Sequence, residues 1–147
     1  PAEELTVLKR IESGVLADSS DLSDITRASL DQVVAAQTLL NDVYIDDAIK
    51  NYIVQIVSAT RQPSAVIGEN LGHYVQYGAS PRASIAFQQA SKAVALISGR
   101  GYVVPEDVKQ LRYSILRHRI ILNFEAVADQ VHAEAIIDAL FNTIVTP

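Results

Sequence analysis

Apolar residues recur at helical spacing along most of this chain, and the breaks between recurrences divide it into elements. Leu5, Leu8 and Ile11 follow Pro1-Ala2-Glu3-Glu4 and read as a short helix that closes near Gly14. Residues 16–28 are rich in Ser and Asp and read as a linker. A second helix is predicted over about 29–42, with apolar Leu30, Val33, Val34 and Leu40. Asp46 suits the N-cap of a third, whose Ile49, Ile53, Ile56 and Val57 form a core stripe. From Arg61 to Ser80 the rhythm stops, across Pro63, Gly68, Gly72 and Gly78. Val66, Ile67, Tyr74, Val75 and Tyr77 in this stretch point to a segment that packs down, with a short hairpin within 62–80 as one form. A loop this long inside a compact domain is uncommon and often functional.

The fourth helix is the best marked. Ser80 suits its N-cap, Pro81 its first position and Gly99 its C-terminal cap. Ala83, Phe87, Ala90, Val94 and Ile97 fall on one predicted buried face. Pro105 starts a fifth helix with Val108, Leu111 and Ile115 inward, although Val104 is a poor cap for it. Residues 120–124 read as extended, and a last helix over about 133–144 buries Ile137, Leu140, Phe141 and Ile144. The expected fold is all-α, a bundle of five to six helices with strand-like pieces at most.

Composition narrows the chemistry. The chain has 147 residues, one domain's worth, with no cysteine, which removes disulfides, thiolate metal sites and thiol nucleophiles. It has no methionine and starts at Pro1, so it reads as a piece of a longer chain. Neither a signal peptide nor a membrane-spanning stretch is visible in it, and a cytoplasmic, soluble protein without membrane insertion is expected. The net charge of −5 is unevenly spread. Residues 1–47 hold 10 acids and 3 bases, residues 48–119 hold 3 acids and 9 bases, and residues 120–147 hold 4 acids and no base. Two readings stay open: the basic middle neutralises its acidic neighbours, or it faces an anion such as phosphate.

Autonomous catalysis finds no support. None of the four lysines follows a glycine, so there is no P-loop, and no apolar run ends in Asp-Glu to hold magnesium. His73, His118 and His132 form no metal-ligand spacing, so no metal site is expected. Arg112, Arg117, His118 and Arg119 concentrate charge in one segment, but an acidic chain without a second basic stripe argues against nucleic-acid binding. A solvated helix end, its cations near the C-terminal dipole, is the simpler account.

Arg82 poses the sharper question. It lies in the first turn of the fourth helix, where a cation is disfavoured by about 0.3–1 kcal/mol. Either the helix tolerates an ordinary exposed arginine, or an anion comes to meet it.

The surrounding residues, Gly78-Ala79-Ser80-Pro81-Arg82-Ala83, closely resemble the sensor 2 motif of the MoxR family of AAA+ ATPases. Tyr52-Ile53-Val54 through Ala59-Thr60-Arg61 resembles the first lid helix of that family. The run from Gly101 to Val108 resembles its glycine, valine, proline and acidic segment, and Leu116-Arg117-His118-Arg119-Ile120 its Leu-Arg-His-Arg segment. The ordered matches run from about Tyr44 to Ile121. The family's α/β nucleotide core is missing, and Val104 stands where a threonine is usual.

The resemblance implies that residues 29–147 are a helical AAA+ lid and residues 1–28 the end of the α/β core or the connection to it. It implies that Arg82 reaches the γ-phosphate of ATP, with Ser80 and Pro81 beside it, Tyr52 on the adenine side, and Arg117 and Arg119 at a subunit interface. ATP and Mg2+ would be used by the full-length protein and not held tightly by this piece alone. The core of the same chain, further copies in a hexameric ring, and von Willebrand factor A domain proteins are the implied partners. Chaperone-like remodelling is the implied function. The alternative is a stand-alone helical interaction module without nucleotide chemistry.

Overall fold

The computed structural model describes residues 27–147 and, ahead of them, residues 5, 6, 8, 9 and 12. Those five are helical, in keeping with the first predicted helix. The rest of that helix, and nearly all of the expected core-to-lid connection over 1–28, lie outside the described residues. The chain divides into two compact units, residues 1–35 and 36–147.

Helix α1, Leu30–Leu39, begins with a reciprocal capping box. The Ser29 hydroxyl accepts from the Gln32 amide at 3.2 Å, and the Gln32 side chain accepts from the Ser29 amide at 2.8 Å. Its apolar Leu30, Val33, Val34 and Leu39 are all exposed. Helix α2, Asp47–Ala59, opens as expected on Asp46, whose carboxylate accepts from the Ala48 amide at 2.8 Å. It buries Ile49, Tyr52, Ile53, Ile56, Val57 and Ala59.

The segment after α2 corrects the expectation of a local hairpin. It folds into two single-turn helices, α3 (Ser64–Ile67) and α4 (Glu69–Gly72), separated by Gly68 at φ 79°, and then strand β1 (Val75–Tyr77). With the stretch ahead of β1 wound into these two turns, the segment has no second strand to offer. Instead β1 pairs antiparallel with β2 (Ile121–Leu122), Val75 opposite Leu122 and Tyr77 opposite Ile121. The strands close the long segment onto the far end of the fold.

Helix α5, Arg82–Ile97, is the longest described element. Its C-terminus follows the glycine prediction: Gly99 takes φ 72°, its amide donates to Leu96 O and that of Arg100 to Ala95 O, both at 2.9 Å. The expected buried face needs revision. Ala83, Phe87, Ser91 and Ala95 are buried, whereas Val94 is half-buried and Ile97 is 86% exposed. The covered row advances by four residues, and its small members Ala83, Ser91 and Ala95 let neighbouring helices approach closely along the i, i+4 ridge around the larger Phe87.

The fifth predicted helix is broken at Leu111 into α6 (Pro105–Gln110) and α7 (Arg112–Leu116). Val104 contributes no side-chain cap. Asp107, one turn on, reaches back and accepts from the Val104 amide at 2.9 Å, which repairs the defect. Helix α8, Phe124–Ala128, is capped by Asn123, and α9, Ala133–Thr143, buries Ile136, Ile137, Leu140 and Phe141.

The core runs between α2, α5, α7 and α9. Tyr52, Phe141 and Phe87 stand in series through it, with ring centroids 6.3 Å and then 6.4 Å apart. A smaller apolar cluster of Ala59, Ile136 and Leu140 lies under α3 and the two strands. A parallel backbone bridge between Tyr44 and Tyr102 ties the entry to α2 to the α5–α6 turn.

Candidate functional site

The start of α5 is built from the end of α2. Thr60 is completely buried; its hydroxyl donates to Val57 O at 2.7 Å and accepts from the Ala79 amide at 2.9 Å. The Arg61 guanidinium donates to Ala79 O at 3.0 Å. Both backbone polar groups of Ala79 are therefore satisfied by two consecutive residues of the other helix end. Gly78 explains itself here: a Cβ at this position would lie 2.1 Å from Thr60 O, so only hydrogen fits. Ala79 is fully buried beside it. Two of the six motif residues thus have a packing role that brings the helix start to a fixed place.

At the very next residue the chain emerges. Ser80, Pro81 and Arg82 are exposed, and Arg82 is the first residue of α5. Ser80 makes no side-chain cap, contrary to its expected role; its carbonyl accepts from the Ala83 amide at 2.9 Å. The Ser84 and Ile85 amides donate to Pro81 O, so few first-turn amides are left for an anion. What faces outward is the Arg82 guanidinium at the positive end of the helix dipole.

Among the described residues from 36 to 147, every other Lys and Arg has a partner. Lys50 meets Asp47, Lys92 the Leu40 carbonyl, Arg100 Asp107, and Lys109 Glu106. Arg112 meets Asp138 at 2.9 Å and Arg117 meets Glu134 at 2.7 Å, while Arg119 donates to Ile115 O. Within that range the Arg82 side chain alone has no hydrogen bond or ion pair. Neutralisation between the basic middle and the acidic C-terminal stretch accounts for Arg112 and Arg117, and leaves Arg82 over.

Tyr52 does not belong to this surface. It is 2% exposed, packed edge-on against Phe141, with its hydroxyl near Thr146 but without a well-formed hydrogen bond. Burial pushes its hydroxyl pKa above the ordinary tyrosine value. A side chain so enclosed offers no face to an adenine, which corrects the expectation for this residue. Arg117 and Arg119 lie on the α7 end, where both already have partners within the chain.

The sequence reading missed one pair, Arg100 and Asp107. Two guanidinium nitrogens meet the two carboxylate oxygens at 2.9 and 2.6 Å, and Asp107 is 2% exposed. Burial pushes the Asp107 pKa up, but the Arg100 hydrogen bonds, the Val104 amide and the Arg100 charge outweigh it and hold the pKa below the ordinary value. The glycine-to-acid run from Gly101 to Val108 is the only signal that marked this region.

Comparison with known proteins settles which kind of domain carries this arrangement. Residues 70–140 match the AAA lid domain family. The chain is 34% identical over 119 residues to Chaperone MoxR1 of Mycobacterium tuberculosis, a match covering 81% of this chain and 32% of that protein. It is 31% identical over 106 residues to Protein MoxR of Paracoccus denitrificans, covering 68% and 31%.

The chain belongs to the MoxR-type AAA+ lid domains. A crystal structure from Cytophaga hutchinsonii, provisionally classed as an ATPase, superposes with a TM-score of 0.79 at 33% identity, over 98% of this chain and 42% of that one. This MoxR-type lid spans about a third of the length of the curated relatives it matches.

Proposed function

We propose that this lid contributes Arg82 as a sensor of the terminal phosphate of ATP bound to an α/β core in the same protein. The observation that carries the reading is an exposed arginine without a partner at the dipole-positive start of a helix whose preceding residues are pinned from behind. A phosphate supplies the missing anion, and a planar guanidinium meets two of its oxygens where an ammonium would meet them as a point charge. Arg82 therefore fits ATP; the described residues fit Mg2+ less well, since no group of three His, Asp or Glu side chains lies together among them. Magnesium ligands belong to the core in this reading. Bound ATP with its Mg2+ supplies the phosphoryl group to be hydrolysed.

Loss of the terminal phosphate removes the contact that Arg82 prefers, and the lid is then free to rotate on its hinge. In a ring of subunits that rotation becomes the output, remodelling of a partner protein, for which a von Willebrand factor A domain protein is one type. Residues 1–28 serve as the end of the core or the connection to it. Of the two arginines on the α7 end, Arg117, with 57% side-chain exposure, is the one we assign to a subunit boundary.

The test is steady-state ATP hydrolysis by the full-length protein and its Arg82→Ala variant, with circular dichroism confirming that both fold. Turnover is expected to fall at least roughly tenfold, the loss of an electrostatic contact to the transferring group. Unchanged turnover in a folded variant, or a full-length parent without ATPase activity, overturns the reading in favour of a helical interaction module.

A further inference from the structure

We infer that Thr60 and Arg61 are positioning residues for Arg82, forming a clamp that transmits the orientation of α2 to the phosphate-facing turn of α5. The inference rests on the sensor role proposed above and extends it to residues that touch no nucleotide.

The geometry converges on one residue, Ala79, gripped by the side chains of two consecutive residues. Thr60 uses its buried hydroxyl in both directions, donating to Val57 within its own helix and accepting from Ala79. Arg61 takes the Ala79 carbonyl. Gly78 presses against the Thr60 carbonyl with no space for a side chain. Three residues beyond Ala79 comes Arg82, with a proline between them at φ −56°. A long side chain loses its aim when its Cα shifts, and placement errors of about 1 Å cost catalysis heavily. The clamp removes that freedom without contacting the ligand. Because it is fastened to the last turn of α2, any rotation of α2 carries Arg82 with it.

Neither Thr60 nor Arg61 has another evident task. The Thr60 hydroxyl is fully enclosed, and a valine of nearly the same shape would fill the space without the hydroxyl's hydrogen bonds. Arg61 is exposed and forms no ion pair among the described residues, so its contribution is the bond to Ala79.

The experiment uses the full-length protein and four variants: Thr60→Val, Thr60→Ser, Arg82→Ala and the double variant Thr60→Val with Arg82→Ala. ATP hydrolysis gives kcat and KM, and hydrogen exchange reads the Ala79 amide. Thr60→Val is expected to lower kcat about three- to tenfold, the worth of one hydrogen bond, with KM for ATP little changed. Its Ala79 amide exchanges faster. Thr60→Ser restores both readouts, and the double variant is no slower than Arg82→Ala alone.

Full kcat in Thr60→Val with faster Ala79 exchange overturns the positioning role, because the clamp is then structural only. So does a further loss on adding Thr60→Val to Arg82→Ala, since the effect would bypass the arginine. If Arg82→Ala itself leaves turnover intact, the sensor reading fails and the positioning role falls with it. That failure is separable because the Ala79 exchange rate reads the clamp independently of turnover.

Discussion

Asp107 is held in an environment that a surface carboxylate never meets. Its two oxygens are shared between the Arg100 guanidinium and the Val104 amide, and almost none of it reaches solvent. Removing the charge leaves a half-buried arginine fork partly unsatisfied, so Asp107→Asn is expected to cost about 1.5–3 kcal/mol, read from the urea midpoint. The pH dependence has a definite sign. The folded pKa lies below the unfolded value, so the contribution is present above the ordinary carboxylate range, near pH 4, and is lost as pH falls through the lowered folded value. The parent should therefore lose stability more steeply than Asp107→Asn on acidification below about pH 4, and parallel curves would refute the assignment. The pairing was invisible in the sequence because the two residues flank an irregular turn, where neither helical nor strand periodicity says which side chains meet. Arg82 was visible for the opposite reason: its oddity is its position on a helix, which proline and spacing marked directly.

Between elements, the decisive joint is that of α2 and α5. Gly78→Ala forces a methyl group against the Thr60 carbonyl, where no flexible side chain can yield. A cost of about 1–3 kcal/mol is expected from this overpacking, measured by urea or thermal unfolding. Gly99 supplies the contrast. Nothing lies within 4 Å of a Cβ there, yet φ is 72°, so an alanine would suffer from backbone strain alone, about 1–2 kcal/mol. Sequence alone indicated both glycines as punctuation. It distinguished neither cause, because a left-handed φ and a close backbone approach leave the same letter. The missed strand pairing between β1 and β2 has a related origin: their partner choice depends on where the chain returns after α7, and two or three residues carry too little pattern to announce it.

At the scale of the whole molecule, the aromatic series Tyr52, Phe141 and Phe87 joins α2, α9 and α5 across the core. Phe87 is fully buried at the meeting of these helices, and Phe87→Ala is expected to cost about 3–5 kcal/mol, a large share of a domain's roughly 5–15. Near- and far-ultraviolet circular dichroism should then shift together to a lower midpoint; separate transitions would show that the helices do not form one cooperative core. Two ion pairs, Arg112 with Asp138 and Arg117 with Glu134, join the basic middle to the acidic C-terminal stretch. They add specificity of docking to a core that hydrophobic burial stabilises.

What the sequence determined by itself was the helical class, the Asp46-capped start of α2, the glycine close of α5, the family likeness and the unusual place of Arg82. These follow from interactions over three or four residues, or from an ordered series of short motifs, and such signals are written along the chain. Only the tertiary structure decided that Tyr52 is core, that Asp107 repairs a weak helix start, that β1 closes on β2, and that Thr60 and Arg61 grip Ala79 from another helix. Each of these depends on which distant segment fills a given space, and close packing fixes that only when the whole fold has formed.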